Sequence, residues 1–557
     1  MPGHLSPLAA ARAWVLRGGL GHAQRKQALM TLLGLLTALE FFENTMFVFG
    51  SAHIMGGIDA APEEFVRAQA AYAVGSLVAM VLQQRLSQRF GYRRYLSGAV
   101  GLFVLGLLGC AQSQGIGQMV VARLVQGAGG GAFFTSSRVL VTQLFTLADR
   151  PPALRRFMAL VFGASAIAPA SCAWLIEHWG WPWVFYCVLP AALLVWAGVW
   201  LLLPSGAGRV PGTRLMGSLP AARAAPASAA GGARWRRTLG RLAPGVQAAV
   251  PLLWFALGVV CLQLAVSQAR FDVLAHPGRL ALMGAAGVAV LGAFLWRQWH
   301  HPEPLLHLRM LHSPVYLVGL GLYFLHYFLT NFSAYLFPIY AERGLGLPLQ
   351  TTGWLNSLAA TGSLLAAWCY IRFMARRFTR KRGIMLAALG CMVFCALWLS
   401  GMPAGAPAPA LAPALLAKGV FGALMVLPVA GLTFRELGDR RFAHGYQGKN
   451  LMRQVAASAS SALAAVMLQN RTFALQQVLT GQLDPARTDV AQWLSRTGAW
   501  FAAQGLGEAQ ARAAAEASLG QIITTQATLL ACEDLYRLLA VCALLAAAIV
   551  LAQRRLA

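Results

Sequence analysis

Negative charge is what this chain has least of. Eighteen Asp and Glu stand against 45 Lys and Arg in 557 residues, and charged residues together make up only 11%, where a soluble domain carries about a quarter. That deficit excludes an ordinary water-soluble globule. No Gly-x4-Gly-Lys-Ser/Thr string is present, so neither ATP nor a nucleotide domain is implied. The nine cysteines (Cys110, Cys172, Cys187, Cys261, Cys369, Cys391, Cys395, Cys532 and Cys542) lie in or at the edges of apolar runs without ligand spacing. The histidines are scattered too, so no metal set emerges and the chain reads as no enzyme and as needing no cofactor. The formal net charge of +27 comes without a stacking platform or an aromatic RNA motif, which excludes nucleic acid as its partner.

What the chain has instead is long apolar runs, fourteen of them, at about 28–50, 65–84, 95–112, 117–138, 157–177, 182–203, 247–266, 278–297, 314–337, 351–373, 384–401, 411–433, 451–470 and 528–552. A bilayer core of about 30 Å takes roughly 20 apolar residues per helix, and these runs are too long for barrel strands. The sequence therefore predicts an all-α, polytopic membrane protein. Arg85, Arg89, Arg93 and Arg94 follow run 2, and Arg150, Arg155 and Arg156 follow run 4. Arg376, Arg377, Arg380, Lys381 and Arg382 follow run 10, and Arg435, Arg440, Arg441 and Lys449 follow run 12. All fall on one side, which the positive-inside rule makes cytoplasmic, together with both termini. These basic loops are expected to set topology and touch anionic lipid. Residues 1–27 carry Arg12, Arg17, Arg25 and Lys26 but no cleavage site, so run 1 is expected to be a retained signal anchor. Heavy use of Ala, Gly and Arg fits a GC-rich bacterial gene.

Between runs 6 and 7 the chain from Ser205 to Gly245 is rich in Ala, Gly, Pro and Ser, with seven arginines and no acid, the composition of a flexible linker. The two flanking halves echo one another: Arg89-Phe90-Gly91-Tyr92-Arg93-Arg94 returns as Arg377-Phe378-Thr379-Arg380-Lys381-Arg382. The expected layout is a cytoplasmic N-terminus (1–27), a six-helix bundle (28–203), a cytoplasmic linker (204–246), two inserted helices (247–297) and a second six-helix bundle (314–552). That second bundle includes an outside segment, 471–526, which is polar, near charge balance and partly helical. The segment reads either as a solvated connector or as a docking surface for another protein.

Arg123-Leu124-Val125-Gln126-Gly127-Ala128-Gly129-Gly130-Gly131 is the most specific string in the chain. An arginine within a span costs about 2.5–3.5 kcal/mol on insertion scales and so faces a bundle interior or a wet cavity. The glycines permit close helix packing. The string resembles the fourth-helix motif of major facilitator superfamily drug:proton antiporters, a resemblance that implies proton coupling for Arg123; a structural charge pair is the other reading. Trp181-Pro182-Trp183-Val184-Phe185 with Pro190, Pro304-Leu305-Leu306-His307-Leu308-Arg309, Gly448-Lys449-Asn450 with Arg453-Gln454, and Gln526-Ala527 with Asp534 are similar, in this order, to the 14-helix branch of that superfamily, the Emr-type multidrug exporters.

Two departures stand out. The loop after the second helix in this family carries an aspartate where this chain has Gln88, within Gln88-Arg89-Phe90-Gly91-Tyr92-Arg93. In run 5 Pro169 is kept, but the family's glycine positions hold Ala164, Ala168, Cys172 and Ala173. In run 1, Glu40 and Glu43 are three apart and share a helix face. Glu43-Asn44-Thr45 matches the family's Asp-x-Thr with glutamate for aspartate. A buried carboxylate near an arginine is balanced between opposing influences and can exchange protons near neutral pH. Glu43 and Glu40 are the proton-site candidates, against the alternative of a hydrated acid near the outer mouth. His326, Tyr327 and Asn331 in run 9, among Tyr323, Phe324 and Phe328, either line a substrate cavity or pack and face lipid.

The resemblance thus implies a secondary transporter that exports amphipathic, often cationic or hydrophobic, small molecules across the cytoplasmic membrane, driven by protons. A dedicated exporter of a metabolite or siderophore is the competing reading, because fold does not set substrate. It also implies a partnership with a periplasmic adaptor and an outer-membrane channel, for which Trp493, Leu494, Trp500 and Phe501 are candidate contacts.

Overall fold

The computed structural model describes residues 21–146, 148–204, 277–300, 313–374, 381–434, 439–482 and 488–553, with parts of 251–268. Arg12, Arg17, the linker from 205 onward, the string Pro304–Arg309, and Arg376, Arg377, Arg380 and Arg435 lie outside the described residues. Apolar backbone in lipid must bond to itself, and the described runs do so as helices, with no strand among the described residues. In chain order these are α1 (His22–Phe49), α2 (Ser51–Gly57), α3 (Pro62–Phe90), α4 (Tyr92–Ala111), α5 (Ile116–Gly130), α6 (Phe133–Leu144), α7 (Arg150–Trp179), α8 (Trp183–Tyr186) and α9 (Leu189–Leu202). They continue with α10 (Leu253–Leu262) and α11 (Pro277–His300). After these come α12 (Pro314–Pro338), α13 (Leu349–Cys369), α14 (Arg382–Leu399), α15 (Ala408–Thr433), α16 (Asp439–Gly481), α17 (Thr488–Ala503) and α18 (Glu508–Ala552).

Ten helices among the described residues are long and apolar enough to cross a membrane, so the protein is an all-α, multi-pass membrane protein. Described helices overlap all fourteen anticipated runs, but α3, the α5–α6 pair, α10 and α13 fall short on length or apolarity. Local sequence sets the boundaries. Prolines in the first turn open α3, α7 and α9, where a missing N–H costs nothing. Gly91, at φ 79°, turns the chain between α3 and α4 in a conformation other residues resist.

Three elements differ from the sequence expectation. Run 4, expected as one helix over 117–138, is two: α5 ends at Gly130 and α6 starts at Phe133. Three consecutive glycines, the weakest helix formers after proline, lie at that break. In the other direction, the run expected over 451–470 extends to Asp439–Gly481, and the last run to Glu508–Ala552. At 1.5 Å per residue the 45 residues of α18 are roughly 68 Å long, about twice the bilayer core. Much of α18 therefore stands outside the membrane.

The residues group into two compact units, one made of 1–323 and 429–458, the other of 324–428 and 459–555. In the first, α3 and α4 flank α5, while α1 packs along α7 and α6. In the second, α18 is the common support: α14, α17 and the π-helical turn Ile339–Gly344 all pack on it. Tyr340 donates to the Leu399 carbonyl at 2.9 Å, and Arg382 Nε to the Val550 carbonyl at 2.9 Å.

Candidate proton-coupling and substrate site

In the first unit, α1 turns two carboxylates inward one helical turn apart: Glu40 is 4% exposed and Glu43 0%. Each meets its own arginine. Arg123, in the middle of α5 and 1% exposed, donates through Nη1 to Glu43 Oε1 at 2.7 Å and to Gln126 Oε1 at 2.8 Å. Its guanidinium carbon sits 3.6 Å from the Phe47 ring centre and 4.4 Å from that of Tyr72, so aromatic faces stand where water would.

Small residues bring these helices together. A Cβ on Gly127 would lie within 3.0 Å of the Tyr72 backbone in α3, and one on Gly129 2.6 Å from the Phe103 nitrogen in α4. On the far side of α1, Ala168, Cys172 and Ala173 of α7 are fully buried, and the Cys172 thiol donates to the Met46 carbonyl at 3.2 Å. Close packing there needs small side chains rather than glycine itself, so the departures in run 5 leave the α1–α7 contact intact. Pro169 is buried inside α7.

Glu40 accepts from Arg453 Nη2 at 3.3 Å, while its Oε2 is buried and accepts no hydrogen bond among the described residues. Arg453 comes from the first third of α16, as does Lys449, which is 3% exposed. Lys449 Nζ lies 4.5 Å from the Phe134 ring centre, 5.0 Å from Tyr446 and 5.2 Å from Tyr323. Lys449, expected among the cytoplasmic loop charges, is instead buried within a helix. Arg138 of α6 completes the group, 5.2 Å over Tyr446 and 5.7 Å over Phe157. Polar contacts fix this stretch of α16. Gln447 Nε2 donates to the Met80 carbonyl at 2.6 Å, Asn450 Nδ2 to Thr135 Oγ1 at 2.5 Å, and the Tyr316 hydroxyl to the Gly445 carbonyl at 2.7 Å.

An arginine–carboxylate pair held dry by aromatic rings and glycine-packed helices, within an all-helical membrane chain, is costly to insert and marks a functional interior. A model of the Major Facilitator Superfamily matches residues 33–461. The chain belongs to that superfamily. It is a transporter and no enzyme. Among its relatives, an uncharacterized MFS-type transporter of Mycobacterium tuberculosis is 28% identical over 152 residues, 27% of this chain and 26% of that protein. A protein of Salmonella typhi provisionally named multidrug resistance protein MdtD is 22% identical over 384 residues, 69% of this chain and 74% of that one. The Serratia proteamaculans protein of the same name is 22% identical over 396 residues, covering 71% and 75%. Among solved structures, a proton-dependent oligopeptide transporter superposes with a TM-score of 0.56 at 14% identity, covering 96% of this chain and 100% of that one. An inward-facing bacterial homologue of the human lysosomal transporter Spinster gives 0.53 at 12%, covering 95% and 98%. These likenesses show the major facilitator fold.

The remaining candidates fall elsewhere. Gln88 is half-buried in the last turn of α3, Gly91 follows it, and the Arg93 guanidinium lies 4.5 Å over the Trp200 ring. The His326 and Tyr327 rings meet edge to face at 5.0 Å and His326 packs 5.4 Å from Phe421, all in the second unit. Asn331 donates back to the Tyr327 carbonyl at 2.7 Å, so its amide serves its own helix. Sequence reasoning missed Arg138, at the edge of run 4, and Lys418, inside run 12, 9% exposed and 5.5 Å from the Phe337 ring. The signal for both was available: an ionisable residue within an apolar run is rare.

Proposed function

We propose that this transporter is a proton-driven exporter of amphipathic or hydrophobic small molecules across the cytoplasmic membrane, with fourteen spans and both termini in the cytoplasm. The dry Glu43–Arg123 pair, one turn from Glu40–Arg453, is the observation that carries the reading. A proton arriving at Glu43 neutralises one member of the pair and releases Arg123 toward Gln126 and the surrounding rings. The carrier then favours a different access state, and cargo competes with protons through that shift. Each charge moved inward along the potential contributes roughly 2.3 kcal/mol per 100 mV, and about 1.4 kcal/mol sustains a tenfold gradient. One or two protons suffice, and no cofactor enters. The provisional name of the Salmonella and Serratia relatives supports drug-like cargo. The helices around residues 471–526 suit delivery to a periplasmic adaptor and an outer-membrane channel.

The experiment is uphill uptake into inside-out vesicles or proteoliposomes under an imposed pH gradient. Glu43→Gln, which mimics the protonated acid, is expected to abolish gradient-driven accumulation while leaving exchange of cargo at equilibrium at least partly intact. Full accumulation by that variant rules out Glu43 as the coupling site, and absence of any protonophore-sensitive flux in the wild type rules out the reading itself.

A further inference from the structure

Two acid–arginine pairs stand one helical turn apart on α1, and one side chain of α3 reaches both. Tyr72 is 5% exposed. Its backbone is fixed first: Gly75 and Gly127 let α3 and α5 meet backbone to backbone, with no room for a Cβ between Gly75 and the Leu124 carbonyl or between Gly127 and the Tyr72 carbonyl. Its ring lies 4.4 Å from the Arg123 guanidinium carbon and so belongs to the Glu43 pair. Its hydroxyl lies beside Gly130, where a Cβ would come within 3.0 Å of it. There Glu40 is the charge that acts on it most strongly, ahead of Glu43, Arg123 and Arg453. One side chain thus touches the first pair with its ring and brings its hydroxyl nearest the acid of the second. Three atoms of this neighbourhood are buried without a hydrogen bond among the described residues: Tyr72 Oη, Glu43 Oε2 and Glu40 Oε2. Buried polar atoms are almost always matched, so an orphaned hydroxyl near two orphaned carboxylate oxygens needs a reason. A hydroxyl both donates and accepts, which is what passing a proton from one carboxyl to the other requires.

We propose that Tyr72 is a proton relay between Glu43 and Glu40, so that the two acids handle one proton in series rather than one proton each. This rests on the proton-driven reading above and adds to it a residue and an order of events. With Glu43 ionised and held by Arg123, neither acid is bonded to the hydroxyl and the path is broken. Protonation of Glu43 ends its charge attraction for Arg123 and frees the carboxyl to turn to Tyr72. The Glu43 O–H bond then breaks as its hydrogen bonds to Tyr72 Oη, and the Tyr72 O–H bond breaks as its hydrogen bonds to Glu40 Oε2. Glu43 is left a carboxylate that pairs with Arg123 again, Tyr72 is neutral as before, and Glu40 is a neutral acid with a weaker hold on Arg453. The proton's arrival at Glu43 loosens a contact to α5, and its arrival at Glu40 loosens one to α16.

The test removes the hydroxyl and keeps the ring. On the purified full chain, without cargo or gradient, time-resolved infrared absorption follows the carboxyl groups after an acid jump, the two bands being assigned by their loss in Glu43→Gln and Glu40→Gln. In the wild type the Glu43 band is expected to rise first and the Glu40 band after it. Tyr72→Phe should keep the wild-type thermal midpoint but slow the Glu40 step on the order of a hundredfold, the size of a general acid–base contribution. Glu43→Gln should slow the Glu40 step as well. A wild type in which Glu40 gains its proton first, or in which it gains none, overturns the proposal, as does an equally fast Glu40 step in Tyr72→Phe. If the two steps appear in this order with this dependence but no pH gradient drives cargo flux, proton-driven export fails and the relay stands. If Tyr72→Phe accumulates cargo under a pH gradient as fully as the wild type, the relay fails and proton-driven export stands.

Discussion

At the scale of single residues, the interior is built on charges that cannot be removed singly. Arg123 and Glu43 are 1% and 0% exposed, and removing one member of such a pair leaves the other charged in a dry setting, typically at about 3–5 kcal/mol. Arg123→Met alone should therefore lower the thermal midpoint in detergent far more than the double change Arg123→Met with Glu43→Leu, which removes both charges together. Equal destabilisation by the single and double variants would mean that the pair is not what holds these side chains. Neither variant should transport. Arg123→Lys separates two requirements: full activity would show that charge suffices, whereas loss with a preserved fold would show that the guanidinium contact to both Glu43 and Gln126 is needed.

At the scale of elements, α5 is placed by the glycines that its neighbours lean on. Gly129→Val puts carbon where the α4 backbone already lies, 2.6 Å from the Phe103 nitrogen at its Cβ, while a Cβ at Gly117 meets nothing within 4 Å. Gly129→Val should sharply reduce the yield of monodisperse protein and Gly117→Ala should not; similar yields would contradict the close-packing account. The same helix boundary logic applies at the α3–α4 turn, where Gln88 stands beside Arg89. Gln88→Asp adds a charge there and is expected to change turnover by shifting the balance of access states. Unchanged labelling of engineered cysteines from either side of the membrane would count against a gating role for this turn.

At the scale of the whole molecule, the described residues between 471 and 526 are helical and packed rather than a bare connector. α17 packs on the first half of α18, burying Ala511 and Ala515, and Arg471 is 2.8 Å from Asp534. Trp500 remains 57% exposed, with Phe473 and Ile522 also exposed. Shortening residues 480–515 to a brief linker should leave flux in inside-out vesicles intact but remove whole-cell resistance and cross-linking to an adaptor. Protection and cross-linking that survive the deletion would place docking elsewhere.

The sequence by itself determined the solvent, the helical class and the superfamily, because apolar runs of bilayer length and the string from Arg123 to Gly131 are local patterns. It also picked out Glu40 and Glu43, since acids in apolar runs are rare and three residues apart share a face. Which arginine each acid meets was not legible: Glu43 and Arg123 are 80 positions apart, and Glu40 and Arg453 are 413 apart, distances over which periodicity carries no information. The same holds for Lys449, whose neighbours in sequence suggest a basic loop. Only the packing of α16 against Phe134 and Tyr323 turned that loop charge into a buried one. Local chemistry decides what kind of element a segment becomes, and only the tertiary structure decides which charges end up facing one another without water between them.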